Sequence, residues 1–112
     1  MDIHIHQQDG ITIFRLVGDL RRGDPVDDLK KQIDDAVARG DVKLVLNIGQ
    51  VNMIDSSGIG IIVRGHSTTV QRGGGLRLVK PSKFALQTLK ICGLLNVLSV
   101  FDEENPALDS LR

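Results

Sequence analysis

Apolar residues along the chain fall into short runs of strand character, separated by longer runs with helical spacing. IHIHQ and ITIFRLV, the second carrying Ile11, Ile13, Phe14 and Leu16, read as two strands joined by a tight turn at Asp9-Gly10. DPVDDLKKQIDDAVARG sets Val26, Leu29, Ile33, Ala36 and Val37 on one helical face. Asp24 is its expected cap, Pro25 suits the first helical position and Gly40 the exit. Val42 to Ile48 is short and nearly continuously apolar, the pattern of a strand covered on both faces. A second helix is predicted from Ser57 to about Gln71, with Ile59, Ile62, Val63, His66 and Val70 inward and Gly73-Gly74-Gly75 as its stop. LRLVK then reads as a strand, and SKFALQTLKICG as a helix opened by Ser82 and closed by Gly93. VLSVF is a last strand, and NPALDSLR a short helix with Asn105 as cap and Pro106 at its first position.

After the opening hairpin, helix and strand alternate. That order predicts one α/β domain over residues 1–112, a mixed but mostly parallel sheet of about five strands flanked by about four helices. In such sheets functional sites favour the loops beyond the strand carboxyl ends. Gly18-Asp19-Leu20 and Asp55 to Gly58 both lie in loops of that kind.

Composition narrows the function. Lys plus Arg and Asp plus Glu both number 14, and aromatic residues are 3% of the chain. Neither a basic footprint for nucleic acid nor a base-stacking platform is present. A single cysteine, Cys92, excludes an internal disulfide and suits a reducing compartment. The start MDIHIHQQDG lacks the pattern of a signal peptide, and no apolar run approaches a membrane span, so a cytoplasmic protein without direct membrane contact is expected.

The stretch VNMIDSSGIG concentrates the candidate chemistry. Asp55, Ser56 and Ser57 stand where a strand stops and a helix starts, and their oxygens suit a helix cap. A cap does not explain Gly58 and Gly60 in the first turns, since glycine there costs about 1 kcal/mol relative to alanine. Small residues at that spacing indicate close approach, by the sheet beneath or by a partner above. A catalytic serine would need a base and an oxyanion site. The G-x-S-x-G elbow is missing, and His4, His6 and His66 fall on a strand and inside a helix, so no enzyme is expected. The phosphate-loop pattern is also missing. What remains is a switch: a phosphate on a serine at a helix start adds about −1.5 to −2 charge that a docked partner cannot easily desolvate.

MIDSSGIGIIV, with VKLVLNI before it and LVGDL earlier, resembles the bacterial anti-sigma-factor antagonists of the STAS family. GGGLRLVK and CGLLNV extend the likeness over essentially the whole chain. The resemblance implies the STAS fold and binding to an anti-sigma factor of the GHKL serine-kinase type, which releases the sigma factor. It implies phosphorylation of Ser56 by that kinase, reversal by a PP2C-type phosphatase, and a supporting role for Ser57. Asp19 matches an acidic residue of the family's Gly-Glu-Leu-Asp segment. The expected docking surface is Asp19, Arg21, Asp55, Ser57, Gly58, Ile59, Gly60 and Ile61, with Ile61 expected to lie off the apolar face of its helix.

The chain departs from the family pattern at GDLR, where Arg21, followed by Arg22, replaces an acid. A basic residue there changes partner charge preference or pairs with phosphoserine. An accessory STAS subunit of a stress-signalling scaffold or a transporter ATPase is the alternative, and self-association stays open. Neither a cofactor nor a metal is implied: His4 and His6 share a strand face without a third ligand. Cys92 is expected to be a buried structural residue; Phe84 is expected to join the core, the alternative being an exposed position that extends a binding face. Lys30, Lys31, Asp34 and Asp35 form spaced opposite charges on a solvent face.

Overall fold

Asp9 and Gly10 both adopt left-handed backbone, with φ of 55° and 78°, as a two-residue hairpin turn requires. In the computed structural model, which describes residues 1–112, β1 (Asp2–Gln8) and β2 (Ile11–Val17) pair antiparallel around that turn. α1 (Asp24–Ala38) leads to β3 (Lys43–Gln50), and α2 (Ser56–Gln71) to β4 (Gly75–Val79). α3 (Lys83–Ile91) and a single 3-10 turn at Leu94–Asn96 lead to β5 (Ser99–Phe101), and α4 (Glu104–Leu111) follows. The sheet order is β1-β2-β3-β4-β5, parallel from β2 onward. The anticipated α/β architecture is the observed one.

Helices cover both faces. Phe14, Leu16, Leu44, Leu46, Leu76 and Leu78 pack under Leu29 and Ile33 of α1, Ile62 of α2 and Leu89 of α3. On the other face Ile11, Ile13, Val45 and Val79 meet Ala107, Leu108 and Leu111 of α4. β3 therefore lies between two apolar layers, which is why its sequence hardly alternates. β2 is central too: Phe14 faces away from Ile11 and Ile13, so its departure from strict alternation reflects a second covered face.

α4 is fixed at its start by charge. Glu104 accepts two hydrogen bonds from Arg15, at 2.9 and 2.8 Å, and one from Asn47 Nδ2 at 2.7 Å. The Arg15 bonds first, then that of Asn47, pull its carboxyl down to about 2 against the opposing effect of burial.

Several local expectations are corrected. Gly23, with φ of 109° and no side-chain bond, holds the N-cap of α1, so Asp24 sits inside the first turn, where an acid favours the helix dipole. Glu103 holds the N-cap of α4, which places Asn105 and Pro106 within its first turn. α2 starts one residue early, at Ser56. Val70 is exposed, and Gly65 and Thr69 are inside in its place. Thr69 can be buried because its hydroxyl donates to the Gly65 carbonyl at 2.9 Å and to that of His66 at 3.0 Å. Cys92 is exposed at the C-cap of α3, and Phe84 on that helix is exposed rather than core. No helix is long and apolar enough to cross a membrane.

Candidate functional site

The loops after β2 and β3 run side by side beyond the end of the sheet. A register shift after Arg15 pairs Val17 with Gln50. Gly18, in a left-handed conformation (φ 116°), donates to the Gln50 carbonyl at 3.0 Å. Leu20 donates to Met53 at 2.9 Å, its carbonyl accepts from the Asp55 N–H at 3.2 Å, and Leu20 and Ile54 form an isolated parallel bridge. Two segments distant in sequence thus continue the parallel ladder, and the start of α2 is built on that continuation.

Asp55 joins the loops through its side chain. One carboxylate oxygen accepts from the Gly58 N–H at 2.9 Å, capping α2, and the other accepts from the Arg22 N–H at 2.9 Å. The Arg22 N–H, then the Gly58 N–H, hold this carboxyl below the usual carboxylate range. The cap expected among Asp55, Ser56 and Ser57 is supplied by Asp55, and it also braces the neighbouring loop.

The two glycines separate into different roles. A Cβ on Gly58 would lie 2.7 Å from the Leu20 carbonyl oxygen, 2.9 Å from Leu20 Cγ and 3.0 Å from Ile54 Cγ2. Its smallness serves the loop packed against it. A Cβ on Gly60 would meet nothing within 4 Å, and Gly60 is exposed.

Burial divides the residues expected to form the docking surface. Ser56, Gly60 and Arg21 are exposed, and Asp19, Asp55 and Ser57 are half-buried at the same end of the sheet. Gly58 and Ile59 are corrected: both are buried, Gly58 beneath the Leu20 loop and Ile59 in the main core, so neither presents a side face to a partner. Ile61 is corrected too. It is half-buried and packs against that core instead of standing free.

Three residues outside the expected set shape the surface. Leu20, fully buried, is the peg that carries the Asp19-to-Arg22 loop onto α2. Arg22 supplies the N–H that Asp55 binds. Met53, 49% exposed, is an apolar group on the segment leading into the serines. A lone leucine among the polar residues of GDLRRGD signals such a peg; nothing in the sequence signals the roles of Met53 or the Arg22 amide. His4 and His6 are exposed on edge strand β1, and His66 is half-buried in α2, where its Nδ1 is enclosed without a partner.

Known proteins place these features in context. The STAS domain model matches residues 2–107. The anti-sigma F factor antagonist of Paenibacillus polymyxa is 28% identical over 113 residues, covering 100% of this chain and 96% of that protein. The crystal structure of an anti-sigma factor antagonist from Mycobacterium paratuberculosis superposes with a TM-score of 0.89 at 18% identity, over 99% of this chain and 93% of that one. The Bacillus cell fate determinant SpoIIAA in its phosphorylated form superposes with a TM-score of 0.79 at 21% identity, over 99% and 100%.

Proposed function

The chain belongs to the STAS domain family, and we propose on that basis that it is an anti-sigma-factor antagonist working by partner exchange. Its unmodified form binds an anti-sigma factor of the GHKL serine-kinase type in the cytoplasm and so frees the sigma factor. Phosphoryl transfer from ATP to Ser56 ends the complex, and a PP2C-type phosphatase restores it. The protein itself supplies a docking surface and a hydroxyl, not catalysis.

The observation that carries this reading is the mounting of Ser56. It is exposed at the first position of α2, held there by the Asp55 cap and the braced Leu20 loop, while its own side chain makes no hydrogen bond within the protein. A phosphate at this position adds charge to the surface without displacing any bond that holds the fold, and the positive end of the helix dipole favours it. Exposed Gly60 and Met53 leave close-approach and apolar contact area around the serine. The relative from Paenibacillus polymyxa, an anti-sigma F factor antagonist, supports the antagonist reading.

The test is a paired pull-down from the source cell with wild type and Ser56→Asp as baits, after melting curves show the two equally folded. Exposed substitutions of this kind usually change stability by about 0.5 kcal/mol or less. A kinase-type ATPase retained by wild type and lost by the variant is the expected result. Equal retention of a transporter-type ATPase, or of further STAS proteins, by both baits would replace the switch with a scaffold.

A further inference from the structure

The site carries two arginines whose charge is hardly used. Arg21 has one acidic neighbour, Asp19, at 3.9 Å, the far limit of an ion pair, and Arg22 makes no ion pair. Both side chains are exposed. Their backbone is nevertheless held against the start of α2, because the Arg22 N–H donates to Asp55, the residue before Ser56, at 2.9 Å. The Arg22 charge is close enough to contribute to holding the Asp55 carboxyl low. The acids beside them in sequence are Asp19 and Asp24, and both oxygens of Asp55 already accept backbone N–H groups.

We propose that Arg21 and Arg22 form a clamp for a phosphoryl group on Ser56, so that the modified protein binds its own phosphate. The clamp rests on the reading of Ser56 as the modified residue. A phosphoserine dianion attracts guanidinium more strongly than the single carboxylate of Asp19 does, and the planar guanidinium donates two parallel N–H bonds to phosphate oxygens. Both side chains start from a loop fixed beside the serine, so closing the clamp requires rotamer changes and no movement of the sheet. Phosphorylation then has two effects on this surface. It adds negative charge, and it withdraws both arginines from whatever acidic groups of a partner they meet in the unmodified state. The chain's basic GDLRR segment gives it a means of switching that an acid at position 21 would not supply.

The experiment uses full-length protein carrying phosphoserine at position 56, introduced during synthesis so that no kinase is needed. Wild type is compared with Arg21→Ala/Arg22→Ala, which keeps the Arg22 backbone N–H and removes only exposed side chains. Phosphorus NMR is followed across pH. The second phosphate pKa, ordinarily about 6, is expected about 1 unit lower in wild type than in the double variant, as for an anion beside arginine. Amide exchange in residues 18–23 is expected to slow on phosphorylation of wild type alone. Matching titration curves for the two proteins would overturn the clamp. Since the phosphate is installed chemically, that result is independent of whether a kinase binds: the clamp can fail while the switch stands, and a missing kinase would leave the titration unchanged.

Discussion

Gly58 and Gly60 lie two residues apart in the first turns of one helix, and their replacement by alanine should have opposite effects. Alanine is favoured over glycine in a helix interior by about 1 kcal/mol. At Gly60 that gain is unopposed, because the new methyl meets nothing within 4 Å. At Gly58 the methyl would lie 2.7 Å from the Leu20 carbonyl oxygen, and that oxygen already accepts the Asp55 N–H at 3.2 Å. Relief requires the Leu20 loop to move away, straining that bond and the one from Leu20 to Met53 at 2.9 Å. Overpacking costs about 1–3 kcal/mol, and each weakened hydrogen bond about 1 kcal/mol. After the helix gain, Gly58→Ala should lose about 2–4 kcal/mol while Gly60→Ala gains about 1 kcal/mol. For a domain of this size about 1 kcal/mol moves Tm by about 4 °C. Thermal melts of both variants beside wild type give the answer, and amide exchange of residues 18–22 locates it. Equal stabilisation by the two alanines would refute the close approach of the loops as the reason for Gly58.

Three other perturbations test separate parts of the molecule. Asp55→Asn keeps a cap acceptor for Gly58 but turns an amide N–H2 toward the Arg22 N–H, so melts should show a lower Tm and residues 18–22 faster exchange; a wild-type curve would show that the carboxylate's second bond is idle. Glu104, held at about 2 against an ordinary 4.5, stabilises the fold fully above its unfolded value, and that stability is lost as pH falls from about 4.5 toward 2. The shift corresponds to about 2 kcal/mol after allowance for the half-exposed Arg15, and Glu104→Gln should flatten the acid limb of Tm against pH. Thr12 is buried with its hydroxyl unpaired, so Thr12→Val should raise stability by about 1 kcal/mol in chemical denaturation.

The layers of the fold were legible because burial writes itself into periodicity. β3 reads as covered on both faces, and the face of α1 is given residue for residue by Val26, Leu29, Ile33, Ala36 and Val37. What resisted reading depends on partners distant in sequence. The inward face of α2 includes Thr69, whose polarity is masked by bonds to its own helix, while Val70 stands outside. Phe84 and Cys92 look like core residues, yet the exposed side of α3 and its cap receive them. At the site, a cap among Asp55, Ser56 and Ser57 was legible from local preference, but not that Asp55 supplies it. The burial of Gly58 was not, because the group that fills the space above it is Leu20, thirty-eight positions earlier.

The site separates the groups that bear the fold from those that face solvent. Asp55, Leu20, Ile54 and Gly58 carry the bonds and contacts that hold the two loops together. Ser56 and Gly60, interleaved with them, carry none. The helical repeat produces this division: residues one or two positions apart project in different directions, so a fold-bearing face and a free face share one short segment. Such a segment can take a charge on its free face while the packed face stays as it was. A surface whose binding changes with one modification needs that property, because a modification that also loosened the fold would confound release of a partner with loss of the protein. Substitutions at Asp55 and Gly58 should therefore loosen the two loops, whereas those at Ser56 and Gly60 should change partner binding with the loops intact.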